Sequence, residues 1–289
     1  MQLAFFGGVY SNSLALEAAM ADARGRGVER MFCLGDLGAF GPHPDRVFPL
    51  LFENDVTCIQ GNYDHSIGNG LADCQCGYTD PRDNHFARIS YEYTFENTGG
   101  PHRKWMRELP AQLRFEVDGV RFVLCHGSPR RTNEFLWEST TSTAFLEKLA
   151  DDFGADIILG THTGIHWQRE LSGGRRFVNV GCLGRPENDG STNVWYAIVL
   201  TGKDAVRNDE SRSSRAINRR PPAACGFANH DDAEPVSVDF IPLAYDHHRL
   251  AREMREERLP EEFVETILTG WWTTCLEVLP AKERRRGRF

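Results

Sequence analysis

Over the first sixty positions, apolar residues arrive in short blocks divided by glycine-bearing polar turns. "QLAFF" (2–6), "RMFCLG" (30–35) and "DVTCIQG" (55–61) each have the length and closure of a buried strand. Between them, "NSLALEAAMADARGRG" carries Leu14, Ala18 and Ala21 on one face and ends in glycine, which predicts a helix. "PDRVFPLLFEN" predicts a second. The order βαβαβ implies a parallel sheet with right-handed crossovers. Each strand runs into a loop of glycine and polar groups: "GGVYSN", "GDLGAFGPHP" and "GNYDH". Ligands bind at this end of open α/β sheets.

The rhythm breaks at residues 67–110, which read as an inserted cap. This stretch is loop-rich through "GNGLADCQCGYTDPRDN", then helical around "HFARISYEYTFEN" and "HRKWMREL". From residue 112 the pattern is β-rich. "LRFEV-DG-VRFVLCHG" carries an Asp-Gly hairpin signal. A helix is expected near 142–151, then "ADIILGTHTG", a hairpin in "GIHWQREL-SGG-RRFVNVG" and a strand in "NVWYAIVL". Residues 202–234 are polar and read as a long flexible loop. "VSVDFIPL" returns to a strand, and 243–289 read as a helical appendage. The expectation is one α/β domain over 1–289, with no internal repeat.

Composition narrows the classes. Of the 289 residues 40% are hydrophobic, and 18 Phe and 6 Trp supply a sizeable core. A net charge of −8 offers no basic excess for displacing counterions, which argues against nonspecific nucleic-acid binding. The basic run "RRR" at 284–286 reads as a solvated end. No stretch approaches the roughly 18 apolar residues of a membrane span. "MQLAFFGG" has no basic leader, so no signal peptide is expected. Of eight cysteines, those at 33, 58 and 125 lie in apolar runs as small hydrophobes. A reduced, cytoplasmic protein fits best. The "CQC" pair at 74–76 lacks partners for a zinc site and is expected to line a loop.

Four loops that follow strands offer metal ligands: Asp36 in "GD", Asn62 in "GN", His126 in "CHGSP" and His162 in "GTHTG". A carboxylate, an amide oxygen and two imidazoles suit Mn²⁺, Fe²⁺ or Zn²⁺. Any one of them alone is as readily a backbone-bonded loop residue. Four together, each beside a glycine that admits close approach, point to a shared site.

The series "GD…GNYD…HGSP…THTG…VNVGCLGRP" resembles the calcineurin-like metallophosphoesterase superfamily from residue 2 to about 200, most nearly its compact bacterial branch. The resemblance implies an αββα sandwich and two metals bridged by one aspartate, activating water against a phosphate ester. The bridging residue falls on Asp36, and further ligands of one metal fall on Asn62, His126 and His162. The other metal fares differently. Its usual Asp-x-His falls on Gly8 and Tyr10, and its last His falls on Gly164. One metal site is therefore expected to remain, with a second as the alternative. The motif histidine that assists the leaving group falls on Tyr63, whose phenol is a poor acid–base at neutral pH. Asp64, the residue that orients that histidine, is retained.

Tyr10 and Tyr63 are expected to face each other across the altered site, filling its space, with ligation of ferric iron by Tyr10 as the other reading. Arg130, Arg131 and Arg185 are phosphate partners or surface ion pairs. Asn12 reads as a helix cap. His166 stays open as a compensating ligand. "TGWWTTCLEVLP" reads as core or dimer contact rather than a substrate platform. The expected function is hydrolysis of a phosphorylated small molecule or nucleotide with one divalent metal, with Tyr63, Asp64 and Arg185 assisting. The alternative is a catalytically weak pseudoenzyme that binds a phosphorylated ligand or protein partner. The expected partner is a small phosphorylated substrate rather than nucleic acid or membrane, and a homo-oligomer stays open.

Overall fold

The computed structural model describes residues 1–202 and 236–284. Apart from residue 202, the polar stretch read as a flexible loop lies outside these, as do Cys225 and most of the basic run at 284–286. Strands β1 (Gln2–Phe6), β2 (Arg30–Cys33) and β3 (Thr57–Cys58) pair in parallel, crossing over through α1 (Ser13–Gly25) and α2 (Val47–Glu53). On the far side of β1, β9 (Val194–Thr201) adds antiparallel, and β10 (Val236–Leu243) pairs with it, for the order β10-β9-β1-β2-β3. A second sheet holds β4 (Gln112–Val117), β5 (Val120–Cys125), β6 (Ile157–Gly160), β7 (Trp167–Glu170) and β8 (Arg176–Asn179), in the order β4-β5-β6-β8-β7.

The sheets face each other. Leu3, Phe5, Phe32 and Leu34 of the first meet Phe122, Leu124, Ile157, Leu159 and Val178 of the second. A ladder of stacked rings bridges them, Phe5–Phe32 at 5.1 Å, Phe32–Phe115 at 5.0 Å and Phe115–Phe122 at 4.9 Å between centroids. The alternate residues Ala4, Phe6 and Cys33 point outward but are also buried, under Ala15, Leu16 and Ala19 of α1 and Phe48 of α2. Val123, Ile158 and Phe177 are covered by Leu146 and Leu149 of α6 (Thr143–Phe153). Both faces are therefore apolar at the central strands, which is why these read as unbroken hydrophobic runs, while the edge strands β4 and β7 keep exposed polar residues. The result is the αββα sandwich expected from the sequence. The Asp118–Gly119 turn between β4 and β5 has φ +49° and +76°, the left-handed pair that a two-residue hairpin of this twist requires.

Two boundaries differ from expectation. "GNYDH", read as a loop, is the first turn of α3 (Asn62–Asn69). Asp64, its third residue, reaches back to accept the Gly61 N–H at 2.8 Å, the reciprocal half of a helix-start signal. α4 (Pro81–Asn97) starts earlier than the helix expected around His85, because Asp80 accepts from Arg82 N at 2.8 Å and proline occupies the first helical position. α5 (Gly100–Glu108) follows, with α7 (His247–Glu256), α8 (Glu261–Thr269) and α9 (Ala281–Arg284) at the far end of the chain. No described helix is long and apolar enough to cross a membrane.

Candidate metal centre

The loops leaving β1, β2 and β3 are tied together by backbone bonds. Val9 N and Tyr10 N both donate to the Asp36 carbonyl, at 2.9 and 3.0 Å. Tyr10, Ser11 and Asp36 have φ of +49°, +60° and +54°, a left-handed backbone that costs non-glycine residues free energy and persists only where the surroundings over-determine it. Asp64 is the brace. Its Oδ2 accepts from Asp36 N at 2.7 Å as well as from Gly61 N, and its Oδ1 accepts from Leu37 N at 3.1 Å. Burial and the Asp36 charge push the Asp64 carboxyl up to about 6, while those backbone N–H groups pull it back down. Asp64 thus acts through the backbone of Asp36.

The side chains of Asp36, His126 and His162 converge, with candidate ligand atoms within 4.8 Å of one another. Each is oriented by its other polar atom. His126 Nδ1 donates to the Leu34 carbonyl at 2.7 Å, which leaves Nε2 directed at Asp36 Oδ2, 3.2 Å away. His162 Nε2 donates to the Cys76 carbonyl at 3.2 Å, leaving Nδ1 without a partner. Asn62 Nδ2 donates to the Cys74 carbonyl at 2.9 Å, leaving Oδ1 buried and unpartnered. Asp36 Oδ1 accepts from Tyr63 N at 3.0 Å. Burial and the neighbouring His126 depress His162 to about 3, so its ring is neutral. Unmet buried polar atoms cost about 1–3 kcal/mol each. A divalent cation among Asp36, His126 and His162 would satisfy the orphaned His162 Nδ1 and take over the His126 Nε2 contact with Asp36, with the unpartnered Asn62 Oδ1 as a further candidate, so the donor set fits a metal.

The "CQC" segment, expected to line a loop as free thiols, supplies two of these orienting carbonyls. Gln75 has φ +52°, which brings the flanking Cα atoms to 5.3 Å, and Cys74 and Cys76 are joined as a disulfide. The reduced state expected of all cysteines is corrected at this pair. Cys33, Cys58, Cys125, Cys182 and Cys275 are free and buried.

The other half of the cleft is built of different material. A Cβ added at Gly8 would stand 2.4 Å from the Tyr10 ring, and one at Gly184 2.2 Å from it. A Cβ at Gly164 would lie 3.8 Å from the Tyr10 hydroxyl. The phenol thus fills the space between three glycines, two of them at positions where the resembling family carries ligands. Burial pushes Tyr10 well above its ordinary value, so it stands as a neutral phenol. Tyr63 is buried, and its hydroxyl bonds Ser90 Oγ at 3.0 Å on α4.

His166 is turned away from the cluster. Its Nδ1 pairs with Glu187 at 2.5 Å, and its ring packs on Trp195 and Phe240. Asn12 caps α1, accepting from Ala15 N at 3.1 Å. Arg130 pairs with Glu134 on the surface, and Arg131 Nε donates to Asn133 at 2.7 Å.

Arg185 does reach the site. It lines a cavity of about 50 Å³ together with Tyr10, Asp36, Tyr63 and His162. The same cavity is walled by Tyr78 and Phe86 from the 67–110 region and by Phe263, Thr274 and Cys275 from near the end of the chain. Trp272 lies face-on to the Arg185 guanidinium, 3.5 Å from ring centroid to Cζ. Sequence reasoning placed "WWTTC" in core or dimer contacts and missed these residues. The one available signal was two tryptophans and two threonines just after a helix-ending glycine.

A sequence model of the calcineurin-like phosphoesterase superfamily domain matches residues 1–204. An uncharacterized protein of Methanocaldococcus jannaschii is 23% identical over 283 residues, covering 93% of this chain and 98% of its own. The crystal structure of a metallophosphoesterase from Sphaerobacter thermophilus aligns with TM-score 0.63 at 23% identity, over 93% of this chain and 99% of that one. A hypothetical protein from Pyrococcus horikoshii aligns with TM-score 0.70 at 19% identity, over 94% and 99%. The family model spans 204 of the 289 residues, and the chain therefore belongs to the calcineurin-like phosphoesterase superfamily.

Proposed function

We propose that the protein hydrolyses a phosphate ester on a small molecule, using one divalent metal held by Asp36, Asn62, His126 and His162. The observation that carries this reading is the convergence of Asp36, His126 and His162 within 4.8 Å, with His162 Nδ1 and Asn62 Oδ1 buried and unpartnered. The mixed oxygen and imidazole set suits Mn²⁺, Fe²⁺ or Zn²⁺. Such an ion lowers the pKa of a water and polarises a phosphoryl oxygen.

The chain's own residues supply the rest. The Leu34, Cys74 and Cys76 carbonyls fix the rotamers of His126, Asn62 and His162. Asp64 and the Tyr63 amide hold Asp36. Arg185 offers positive charge to the phosphoryl oxygens, and the Tyr63 side chain walls the cavity as a neutral phenol tied to Ser90. Tyr10 packs against Gly8 and Gly164, where the resemblance would put ligands of the other metal, which supports a stoichiometry of one.

The second reading is a protein that binds phosphorylated ligands without turnover. It is favoured by the same packing of an aromatic ring where the resemblance would put metal ligands. Elemental analysis of the purified chain, paired with a panel of phosphate esters and added Mn²⁺, separates the two. We expect about one metal per chain, and Mn²⁺-dependent turnover that falls at least about a hundredfold in Asp36→Asn. A stoichiometry near two, or full turnover by the variant, would overturn the proposal. Metal binding with no turnover on any ester would favour the second reading.

A further inference from the structure

We infer that Arg185, Trp272 and Thr274 form an anion seat for a terminal phosphoryl group, taking over the electrostatic role of the displaced metal. This inference rests on the phosphoesterase reading only for the reaction; the seat itself is defined by residues outside the metal cluster.

Arg185 is 7% exposed, its Nε has no hydrogen-bond partner, and no carboxylate among the described residues lies within ion-pair range of it. A buried guanidinium without a counter-ion is costly unless something anionic visits it. Its positive charge is held by aromatic faces instead: Trp272 at 3.5 Å, with Phe40 and Tyr10 at 5.9 and 6.0 Å. Those contacts stabilise the cation while leaving its in-plane N–H donors free for an oxyanion. Thr274 is 1% exposed and its Oγ1 is likewise unpartnered. Both residues line the cavity that also contains Asp36 and His162. Two unsatisfied donors and a carboxylate-imidazole pair around one small space are what a phosphoryl group would complete.

Trp272 is fixed independently of Arg185. Its N donates to Asn188 Oδ1 at 3.0 Å, and its Nε1 donates to the Pro186 carbonyl at 2.7 Å. The segment from 272 to 275 lies beyond the matched family region, yet it is locked onto the residues flanking Arg185. It is therefore part of the site rather than an appendage.

Charge gives the substrate class. A terminal phosphoryl group carries up to two charges and three free oxygens, which a guanidinium and a hydroxyl answer more fully than the single charge of a diester, so the seat is assigned to the terminal group of a monoester.

Calorimetric titration of the full-length, metal-free chain with inorganic phosphate tests the seat apart from the metal. Wild type should bind phosphate. Thr274→Val should weaken binding by about tenfold and Arg185→Gln by about a hundredfold, as loss of one and of several charge-assisted hydrogen bonds implies. Arg185→Lys, which keeps the charge, should fall between, and Trp272→Leu should weaken phosphate without altering the Mn²⁺ stoichiometry. Dimethyl phosphate should fail to compete. Unchanged phosphate affinity in folded Thr274→Val and Arg185→Gln, or equal binding of dimethyl phosphate, would overturn the inference while leaving the metal reading intact. Phosphate binding that depends on Arg185 in a chain that takes up no Mn²⁺ would support the seat and overturn the metal centre.

Discussion

The two halves of the cleft differ in what they leave unsatisfied. On one side, Asp36, His126 and His162 converge, His126 Nε2 faces the carboxylate at 3.2 Å, and His162 Nδ1 and Asn62 Oδ1 are buried with no hydrogen-bond partner. On the other, Tyr10 packs into a slot of three glycines and contributes a neutral ring to the hydrophobic core. The first half gives up folding stability to keep donors open. The second has given up donors and gained packing. One side is unsatisfied in a pattern that a cation completes; on the other, Tyr10 fills the slot between the glycines, and the groups left open beside it are Arg185 Nε and Thr274 Oγ1.

That contrast can be broken most directly at Tyr10. Tyr10→Ala removes a buried ring from between Gly8, Gly164 and Gly184 and should cost about 4 kcal/mol in chemical denaturation. Metal content should stay near one per chain. Uptake of a second metal by this variant would show that the ring displaces an ion from a set of ligands still present, contrary to the comparison drawn here.

Asp64 lies at the junction of the halves, and its replacement should have an intermediate effect. Asp64→Asn loses acceptor capacity toward the Asp36, Leu37 and Gly61 amides and should destabilise by about 2 kcal/mol. Because Asp64 acts on Asp36 through its backbone, metal affinity should fall with it. A stability loss with unchanged metal affinity would make Asp64 a fold residue alone.

The smallest effect is expected far from the cleft, at the Arg121–Asp156 pair, which serves as the control. Arg121 Nη2 lies 2.7 Å from Asp156 Oδ1, with the arginine about half exposed, so Arg121→Ala should cost under about 1 kcal/mol. Hydrogen bonding from Arg121 holds the Asp156 carboxyl below its ordinary range. A depressed carboxyl stabilises the fold above its unfolded value, about 4, and that contribution is lost as pH falls further. The difference in melting temperature between wild type and Arg121→Ala should therefore shrink below pH 4. A gap that widened on acidification would contradict the sign.

Much of this was legible in the chain because the relevant signals are local. Strand-length apolar runs ending in glycine located the loops, and of the candidate donors Asp36, Asn62, His126 and His162 the fold clusters Asp36, His126 and His162. Gly8, Tyr10 and Gly164 marked the altered half by departing from a motif. The start of α3 was misread because Asp64, counted as a site residue, is also a helix-start carboxylate. The Cys74 and Cys76 carbonyls could not be foreseen as orienting groups, since any residue supplies a carbonyl and only the fold determines where it points.

The sequence by itself determined the order of strands and helices and the kinds of atoms available at the strand ends, because periodicity and residue chemistry are written position by position, while the layering of the sandwich was implied by the resemblance. The tertiary structure alone decided which of those atoms lack partners, that Tyr10 packs among Gly8, Gly164 and Gly184, and that Trp272 and Thr274 join Arg185 from some ninety positions away. Those are statements about complementary surfaces and unmet hydrogen bonds, and such properties exist only once the chain has closed on itself.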